Sequence, residues 1–245
     1  MRWDQLDPGL RARLLQWHAP IWDPLIRKGL DGAGDLEGKR VLEVGCGDGG
    51  LACLLAACGA EVFATDLSQT RLRAGKALAE QMGLSSRVHF FRGNACQLPL
   101  GPGRFDLILT RSVLVLLDRR QVVPRLARLL VAETGAAVFI ENMENHPALQ
   151  MWRRVTRTKW GRYPYFSDAE VVSFRDFFER VEASYAGLLL PAVGPLGRLQ
   201  RTLAPLVAQI DAALLTRFPR LNRYAWLVVL RCTGPKRRRD VEDPG

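Results

Sequence analysis

A glycine-rich turn with its own carboxylates is the part of the chain best suited to chemistry. Gly45, Gly47 and Gly50 follow a short apolar run and have the spacing of a dinucleotide-binding turn. Such a turn presents backbone N–H groups to a pyrophosphate, and a nearby anion would oppose that binding. Here Glu43 precedes the loop and Asp48 lies inside it. The charges therefore favour a cationic ligand that has no phosphate.

A further acidic residue, Asp66, ends the next apolar run. S-adenosylmethionine matches the ligand that these charges favour, because it combines a sulfonium, an ammonium, a nucleoside and a carboxylate. The glycine spacing alone would fit a dinucleotide equally well. The prediction of an S-adenosylmethionine site therefore depends on the acidic residues.

Strand and helix patterns alternate from residue 39 onward. Five short apolar runs predict strands, at residues 41–44, 62–65, 88–92, 105–110 and 136–141. Helical patterns separate several of them, at residues 51–58, 68–82 and 119–132. This alternation predicts right-handed crossovers and a doubly wound, mostly parallel sheet of the α/β class.

Both ends of the chain add elements to this core. Asp7-Pro8 and Asp23-Pro24 are start signals for two N-terminal helices. Ser167 and Glu170 form a capping box that opens a helix to about Phe178. Two further strands, predicted at 181–190 and 224–231, bring the sheet to seven.

These patterns divide the chain into three parts. We expect an N-terminal helical lid in residues 1–35 and the main domain in residues 36–235. A helical insertion at about 191–223 precedes the last strand, and residues 236–245 form a basic, flexible tail. In the insertion, apolar residues recur at helical spacing beside arginines.

Composition limits the class of protein. The chain has 245 residues and 48% hydrophobic residues, enough for a full core. No apolar stretch reaches the ~18–20 residues of a membrane span, and Met1 to Leu14 has no signal-peptide pattern. We expect a cytoplasmic protein. The five cysteines and three histidines lack metal-ligand spacing, so no metal site is expected.

The formal net charge of +10 has two interpretations. It is typical of a protein that binds phosphates, in nucleic acid or in an anionic membrane. It is equally typical of a solvated, arginine-rich surface, because the basic residues are spread along the chain. The sequence leaves both interpretations open.

The chain resembles the class I S-adenosylmethionine-dependent methyltransferases over residues 36–145. The resemblance rests on a strand that ends Glu-Val-Gly-Cys-Gly-Asp-Gly, a second strand that ends at Asp66, the triplet Gly93-Asn94-Ala95, and the strand Phe-Asp-Leu-Ile-Leu at 105–109. It implies a Rossmann-like methyltransferase fold and S-adenosyl-L-methionine as the cofactor.

The resemblance also implies roles around the methionine end of the cofactor. The backbone of Gly45, Cys46 and Gly47 would approach the methionine moiety. Glu43 would help to hold its ammonium, directly or through water. Arg111, which follows the fourth strand together with a serine, would close the site.

At the nucleoside end, the resemblance implies that Asp66 accepts hydrogen bonds from both ribose hydroxyls, which one carboxylate can do. Leu67 would lie against the adenine face, and Asn94 and Ala95 would read the adenine edge. The family usually has aspartate at the position of Asn94, so we expect weaker adenine binding here.

A general base is not evident, because the histidine that many relatives carry after the fourth strand is missing. His146 follows the fifth strand and is the leading candidate, oriented by Glu141 or Glu144. His18, in the predicted lid, is the second candidate. Each has an alternative interpretation as a capping or packing residue.

The expected reaction is methyl transfer to a small, lipophilic acceptor, with oxygen favoured over nitrogen or carbon as the acceptor atom. Two alternatives remain: an RNA methyltransferase, which the charge favours, and a non-catalytic protein that keeps the fold as a scaffold. An RNA-binding module and the Asn-Pro-Pro-Tyr-like element of base-amine methylases are both missing from the sequence. The insertion is interpreted as a flap over the acceptor, an amphipathic helix on an anionic bilayer, or a helix packed on the core.

Overall fold

Apolar runs at regular intervals form the strands of one sheet. The protein is described here by a computed structural model that covers residues 2–15, 19–156, 163–193 and 198–236. Within these ranges the strands are β1 (Arg40–Val44), β2 (Glu61–Asp66), β3 (Val88–Arg92), β4 (Leu107–Arg111), β5 (Ala136–Asn142), β6 (Phe178–Ala186) and β7 (Leu227–Pro235). Their order in the sheet is β3-β2-β1-β4-β5-β7-β6.

Only β7 runs against the other strands of this sheet. β1 to β5 pair in parallel, and β7 lies antiparallel between β5 and β6. The chain moves outward from β1 to β3 and then returns to β4 on the other side of β1. This reversal opens a crevice at the carboxyl ends of β1 and β4, where ligands of doubly wound sheets bind. The predicted seven-stranded, mostly parallel α/β fold is confirmed.

Helices cover both faces of the sheet. The α-helices in the described ranges are α1 (Pro8–Leu15), α2 (Ala19–Leu30), α3 (Gly50–Ala57), α4 (Gln69–Gln81), α5 (Arg119–Leu129), α6 (Pro147–Thr156), α7 (Asp168–Ser173), α8 (Leu190–Val193) and α9 (Arg198–Arg217). Two apolar clusters, one on each face, form the core. One includes residues of α1 to α4 and α9, and the other includes residues of α5 and α7.

Helix α2 lies close to the sheet at Gly29. A Cβ atom at this position would lie 2.4 Å from Cγ1 of Val138 on β5, so a side chain there would push the helix away. Ile26, on the same helix, is fully buried. The region predicted as a lid is therefore packed on the sheet through α2.

Two predicted helix boundaries are wrong, one at Pro24 and one at Phe178. Helix α2 begins at Ala19, so Pro24 lies inside it rather than at its start. The helix that opens at Ser167 ends at Ser173, and Phe178 already belongs to β6. Phe178 is fully buried and its ring lies 6.2 Å from that of Phe139. Tertiary packing of this phenylalanine thus decides where the strand starts.

The insertion before the last strand contains α9. Ala204, Asp211 and Leu215 of this helix are buried, whereas Leu199 and Leu206 are exposed. Across the described ranges, no helix has both the length and the apolar composition to cross a membrane. The predicted tail lies outside the described residues, apart from Lys236.

Candidate functional site

The glycine turn after β1 is tied to the end of β2. The N–H groups of Gly45 and Cys46 both donate to the carbonyl oxygen of Thr65, over 2.8 and 3.0 Å. Gly45 and Gly47 have φ values of 74° and 55°, a left-handed backbone that glycine adopts without strain. A Cβ atom on Gly45 would lie 2.3 Å from Cγ2 of Val113, in the loop after β4. The turn therefore needs glycine here for both backbone conformation and space.

Asp66, the last residue of β2, closes this arrangement. Its Oδ2 accepts the N–H of Gly47 over 2.9 Å, and its Oδ1 accepts the N–H of Ser68 over 2.9 Å. Each carboxylate oxygen can accept a second hydrogen bond. The side chain is half-buried, so its remaining acceptor sites are available at the rim of the crevice.

Glu43, the fourth residue of β1, is a buried carboxylate near the carboxyl end of that strand. It is 2% exposed, and its Oε2 has no hydrogen-bond partner among the residues that the structure describes. Burial raises its pKa to about 8, and the nearby Arg111 opposes that rise. An unpartnered buried carboxylate oxygen is costly unless a donor reaches it. A ligand ammonium group would supply that donor.

Arg111 connects the crevice to the N-terminal helices. Burial lowers the pKa of its guanidinium, and Glu43 opposes that shift. The same guanidinium carbon lies 5.4 Å from the ring centre of Trp22 on α2. Arg111 therefore lies between the crevice carboxylate and an aromatic ring of the predicted lid.

The residues predicted at the adenine end follow β2 and β3. Leu67 is 60% exposed, next to Asp66, and offers an apolar surface at the crevice rim. Asn94 is exposed, and its Oδ1 accepts the N–H of Cys96 over 3.0 Å as the N-cap of a short 3-10 helix. Ala95 is buried. The Asn94 carbonyl thus has a structural hydrogen bond, and its amide N–H groups remain donors.

A hydrogen-bonded network at the ends of β4 and β5 was not expected from the sequence. Nδ2 of Asn142 donates to Oγ of Ser112 over 3.0 Å, and Nε1 of Trp226 donates to Oδ1 of Asn142 over 2.9 Å. Ser112 has a φ of 53°, the only described residue besides glycine with positive φ. Because such strain gathers at functional sites, this network is part of the candidate site. The sequence indicated this network only weakly, through one polar residue after each of the two predicted strands, Ser112 and Asn142.

Glu141 does not orient His146, contrary to expectation. Its Oε1 accepts the hydroxyl of Thr110 over 3.2 Å and the N–H groups of Val113 and Leu114 over 3.1 and 3.0 Å. The carboxylate is fully buried, and burial raises its pKa to about 7 despite these donors. Its function in this structure is to hold the loop that follows β4.

His146 lies at the start of α6 with both ring nitrogens in hydrogen bonds. Nδ1 accepts the N–H of Leu149 over 3.3 Å, and Nε2 lies 3.0 Å from the carbonyl oxygen of Leu188. This pattern places the proton on Nε2. The side chain is 4% exposed, and burial lowers its pKa. A general base needs a ring nitrogen that can reach the acceptor, so the geometry favours the capping interpretation. His18 lies outside the described residues.

A cavity of about 480 Å³ with mostly apolar walls lies between α2, β6 and α9, and the charged residues Lys28 and Asp211 also line it. Its walls include Leu25 of α2, Ala186 of β6, and Leu215 of α9. Asn222 also lines it, and its buried Oδ1 has no partner among the described residues. Gly187, at the end of β6, lies in the cavity wall, and a Cβ there would meet Trp226 at 2.9 Å. The cavity is therefore next to the network of Trp226, and its size suits a small molecule.

Comparisons with known proteins agree with this geometry. A family model described as a methyltransferase domain matches residues 41–133, which include the glycine turn and Asp66. The chain is 41% identical over 104 residues to a probable chloroplastic tocopherol O-methyltransferase of Oryza sativa subsp. japonica, a match that covers 42% of this chain and 28% of that protein. It is 34% identical over 119 residues to a ubiquinone biosynthesis O-methyltransferase of Bordetella bronchiseptica, covering 47% of each.

The chain thus spans less than half the length of these curated relatives. Other relatives include N- and C-methyltransferases. Among solved structures, geranyl diphosphate methyltransferase in complex with S-adenosylmethionine aligns with a TM-score of 0.63 at 19% identity, covering 94% of this chain and 92% of that one. At that identity the alignment shows the shared fold. The family match, the sheet order and the glycine turn lead to one conclusion: this chain carries a methyltransferase domain of the class I S-adenosylmethionine-dependent family.

Proposed function

We propose that the protein transfers a methyl group from S-adenosylmethionine to a hydroxyl group of a small, lipophilic acceptor. The observation that carries the cofactor is the unpartnered, buried Oε2 of Glu43 beside a left-handed glycine turn. The mostly apolar walls of the cavity support the lipophilic acceptor. Two O-methyltransferases that resemble this chain support oxygen as the acceptor atom.

The residues of the crevice fit the two ends of the cofactor. Glu43 would accept the ammonium group, with the backbone of Gly45, Cys46 and Gly47 along the methionine moiety. Arg111 would close this end, because it already contacts Trp22 of α2.

At the nucleoside end, Asp66 would accept the ribose hydroxyls with its remaining lone pairs. The exposed Leu67 would cover one face of the adenine, and Asn94 and Ala95 would lie along its edge. Asn94 would contribute without a charge.

The bound cofactor supplies an electrophilic methyl group on a sulfonium. The chain's own contribution is to position the acceptor and exclude water. The loop after β4, held by Glu141, and the network of Ser112, Asn142 and Trp226 would fix the acceptor side of the crevice. A phenolic hydroxyl has an ordinary pKa of about 10, and so it loses its proton without a strong base. We therefore propose that the methyl transfer does not use His146 as a general base, because both of its ring nitrogens are occupied by hydrogen bonds to the backbone.

A titration tests the cofactor site. We expect adenosylhomocysteine to bind the wild-type protein in calorimetry, and Asp66→Asn to weaken it by about tenfold or more through the loss of charged hydrogen bonds. Glu80→Gln is the control, because Glu80 is an exposed carboxylate near the end of α4 and away from the turn. An unchanged affinity for Asp66→Asn contradicts the proposed site. No binding to the wild-type protein would instead support a non-catalytic scaffold.

A second experiment tests the acceptor class. The protein is incubated with methyl-labelled S-adenosylmethionine and, separately, a prenylated hydroquinone, an isoprenyl diphosphate and bulk transfer RNA. We expect organic-extractable label with the hydroquinone. Label in the isoprenyl diphosphate would mean that the acceptor atom is carbon rather than oxygen. Label in the RNA would overturn the proposed small-molecule acceptor and favour an RNA methyltransferase.

A further inference from the structure

Two stretches of the chain carry basic residues and almost no acidic ones. No aspartate or glutamate occurs between Glu144 and Asp168, a stretch that includes α6. Between Glu182 and Asp240, which includes α9, the one acidic residue is Asp211. Asp211 is 1% exposed. The solvent-facing surfaces of α6 and α9 therefore carry positive charge without compensating carboxylates of their own.

The same helices expose large apolar side chains. On α6, Met151, Trp152 and Val155 are 66%, 47% and 77% exposed, and no side chain of that helix is buried. On α9, Leu206 and Ile210 are 56% and 43% exposed. A packed helix normally buries such residues, so their exposure indicates an interaction surface.

Both helices adjoin the segment between β6 and α8. The ring of His146, at the start of α6, contacts the carbonyl oxygen of Leu188. The carboxylate of Asp211, in the middle of α9, accepts the N–H groups of Leu189 and Leu190 over 2.8 and 3.3 Å. Leu189 is itself 43% exposed. The basic apolar surface is defined here by Met151, Trp152, Val155, Leu189, Leu206 and Ile210.

Arginines accompany these apolar residues. Arg154 on α6 and Arg217 at the end of α9 are exposed. Arg223 is exposed as well, and its guanidinium carbon lies 5.3 Å from the ring centre of Tyr224. Aromatic rings and arginines together are typical of side chains at a membrane interface, with the apolar part in the acyl boundary and the charge at the phosphates.

We propose that the basic apolar surface docks the protein on an anionic lipid bilayer. The exposed apolar side chains would enter the boundary between headgroups and acyl chains, while the arginines bind lipid phosphates. RNA would satisfy the arginines but not Met151, Val155 or Leu206, because bases stack on aromatic rings rather than on aliphatic chains. The observations therefore favour the bilayer.

Vesicle flotation tests this docking. The full chain is mixed with vesicles of phosphatidylcholine alone or with about 30 mol% phosphatidylglycerol, at about 0.1 M salt, where screening is moderate. We expect binding to the anionic vesicles, weakened about tenfold or more by the double substitution Met151→Glu and Val155→Glu. Val172→Glu is the matched control, because Val172 is 56% exposed on α7, outside this surface.

Three results would overturn the proposal: no flotation with anionic vesicles, equal flotation of the double variant and the wild type, or an equal loss in Val172→Glu. Retention of a homopolymeric RNA without vesicle binding would assign the surface to nucleic acid instead. Circular dichroism and adenosylhomocysteine titration of each variant show that the fold and the crevice are intact. Flotation requires no methyl transfer, so its failure leaves the proposed function standing, and the reverse also holds.

Discussion

Glu141 accepts the backbone N–H of Leu114 over 3.0 Å, so a carboxylate at the end of β5 holds the loop that follows β4. The same loop contains Val113, which contacts the glycine turn after β1, and Ser112, which belongs to the network of Trp226. The buried side chain of Glu141 thus holds the loop after β4 in its place beside the glycine turn after β1. β1 and β4 are the strands on either side of the reversal in strand order.

Oε1 of Glu141 accepts the three donors described above, and its Oε2 accepts the N–H of Val115 over 3.4 Å. We expect Glu141→Gln to destabilise the protein by about 1–3 kcal/mol, because an amide has one acceptor oxygen and leaves one of these donors unpaired. Urea denaturation at neutral pH measures this loss. Glu144→Gln is the control: Glu144 is a partly exposed neighbour, and we expect a change within about 0.5 kcal/mol. Equal stability of the two variants would show that the loop does not depend on the carboxylate.

Gly45→Ala should be destabilising for two separable reasons. The left-handed backbone costs about 1–2 kcal/mol with a Cβ atom, and the overlap with Val113 costs about 1–3 kcal/mol more. Gly38→Ala isolates the backbone part, since Gly38 has a φ of +71° and nothing within 4 Å of its Cβ position. Thermal denaturation gives the difference. Adding Val113→Ala to Gly45→Ala should recover part of it, and no recovery would contradict the close approach.

The pKa of Glu43 gives stability and cofactor binding opposite pH dependences. Its folded pKa of about 8 lies above its ordinary value of 4.5, so the native state holds a proton that the unfolded chain has lost. The free energy of unfolding should therefore fall as pH rises from about 4.5 to about 8. An ammonium ligand needs the ionised carboxylate, so adenosylhomocysteine affinity should rise by up to about tenfold per pH unit toward pH 8.

Glu43→Gln separates these effects. We expect it to remove the Glu43 part of the stability loss between about pH 4.5 and about pH 8, to weaken adenosylhomocysteine binding by at least about tenfold, and to flatten the pH dependence of that binding. Chemical denaturation and calorimetry at several pH values measure both quantities. The contribution of Glu141, whose pKa is also raised, is the same in both proteins and cancels in the comparison. A variant with an unchanged pH dependence of binding would assign the ammonium site to another group.

His146 should make the protein less stable in acid. Burial lowers its folded pKa below the ordinary 6.5, so the unfolded chain takes up a proton first and stability is lost as pH falls through 6.5. His146→Asn keeps a capping acceptor for α6 and removes the titration. The stability difference between pH 7.5 and pH 5.5, both about one unit from the ordinary value, should be smaller in the variant than in the wild type. An unchanged difference would mean that His146 does not titrate within this hydrogen-bonded arrangement.

Local patterns of the sequence were sufficient for the sheet and for the crevice. Alternation of apolar runs with helical patterns predicted the parallel strands, and acidic residues at the ends of β1 and β2 marked the cofactor side. These features are readable because a strand end and a glycine turn depend on neighbours a few residues away. Glu43 and Asp66 therefore lie at the positions that the sequence indicated, at the carboxyl ends of adjacent strands.

The direction of a buried side chain was decided by tertiary structure. The sequence placed Glu141 next to His146, but the sheet brings the loop of Leu114 to that carboxylate and the segment of Leu188 to the imidazole. The network from Trp226 to Ser112 likewise joins residues far apart in the chain. Such pairings are set by which strands become neighbours and by burial, which forces each polar group to find a partner wherever the packed chain provides one. The local periodicity of a sequence therefore does not predict which distant residues become hydrogen-bond partners.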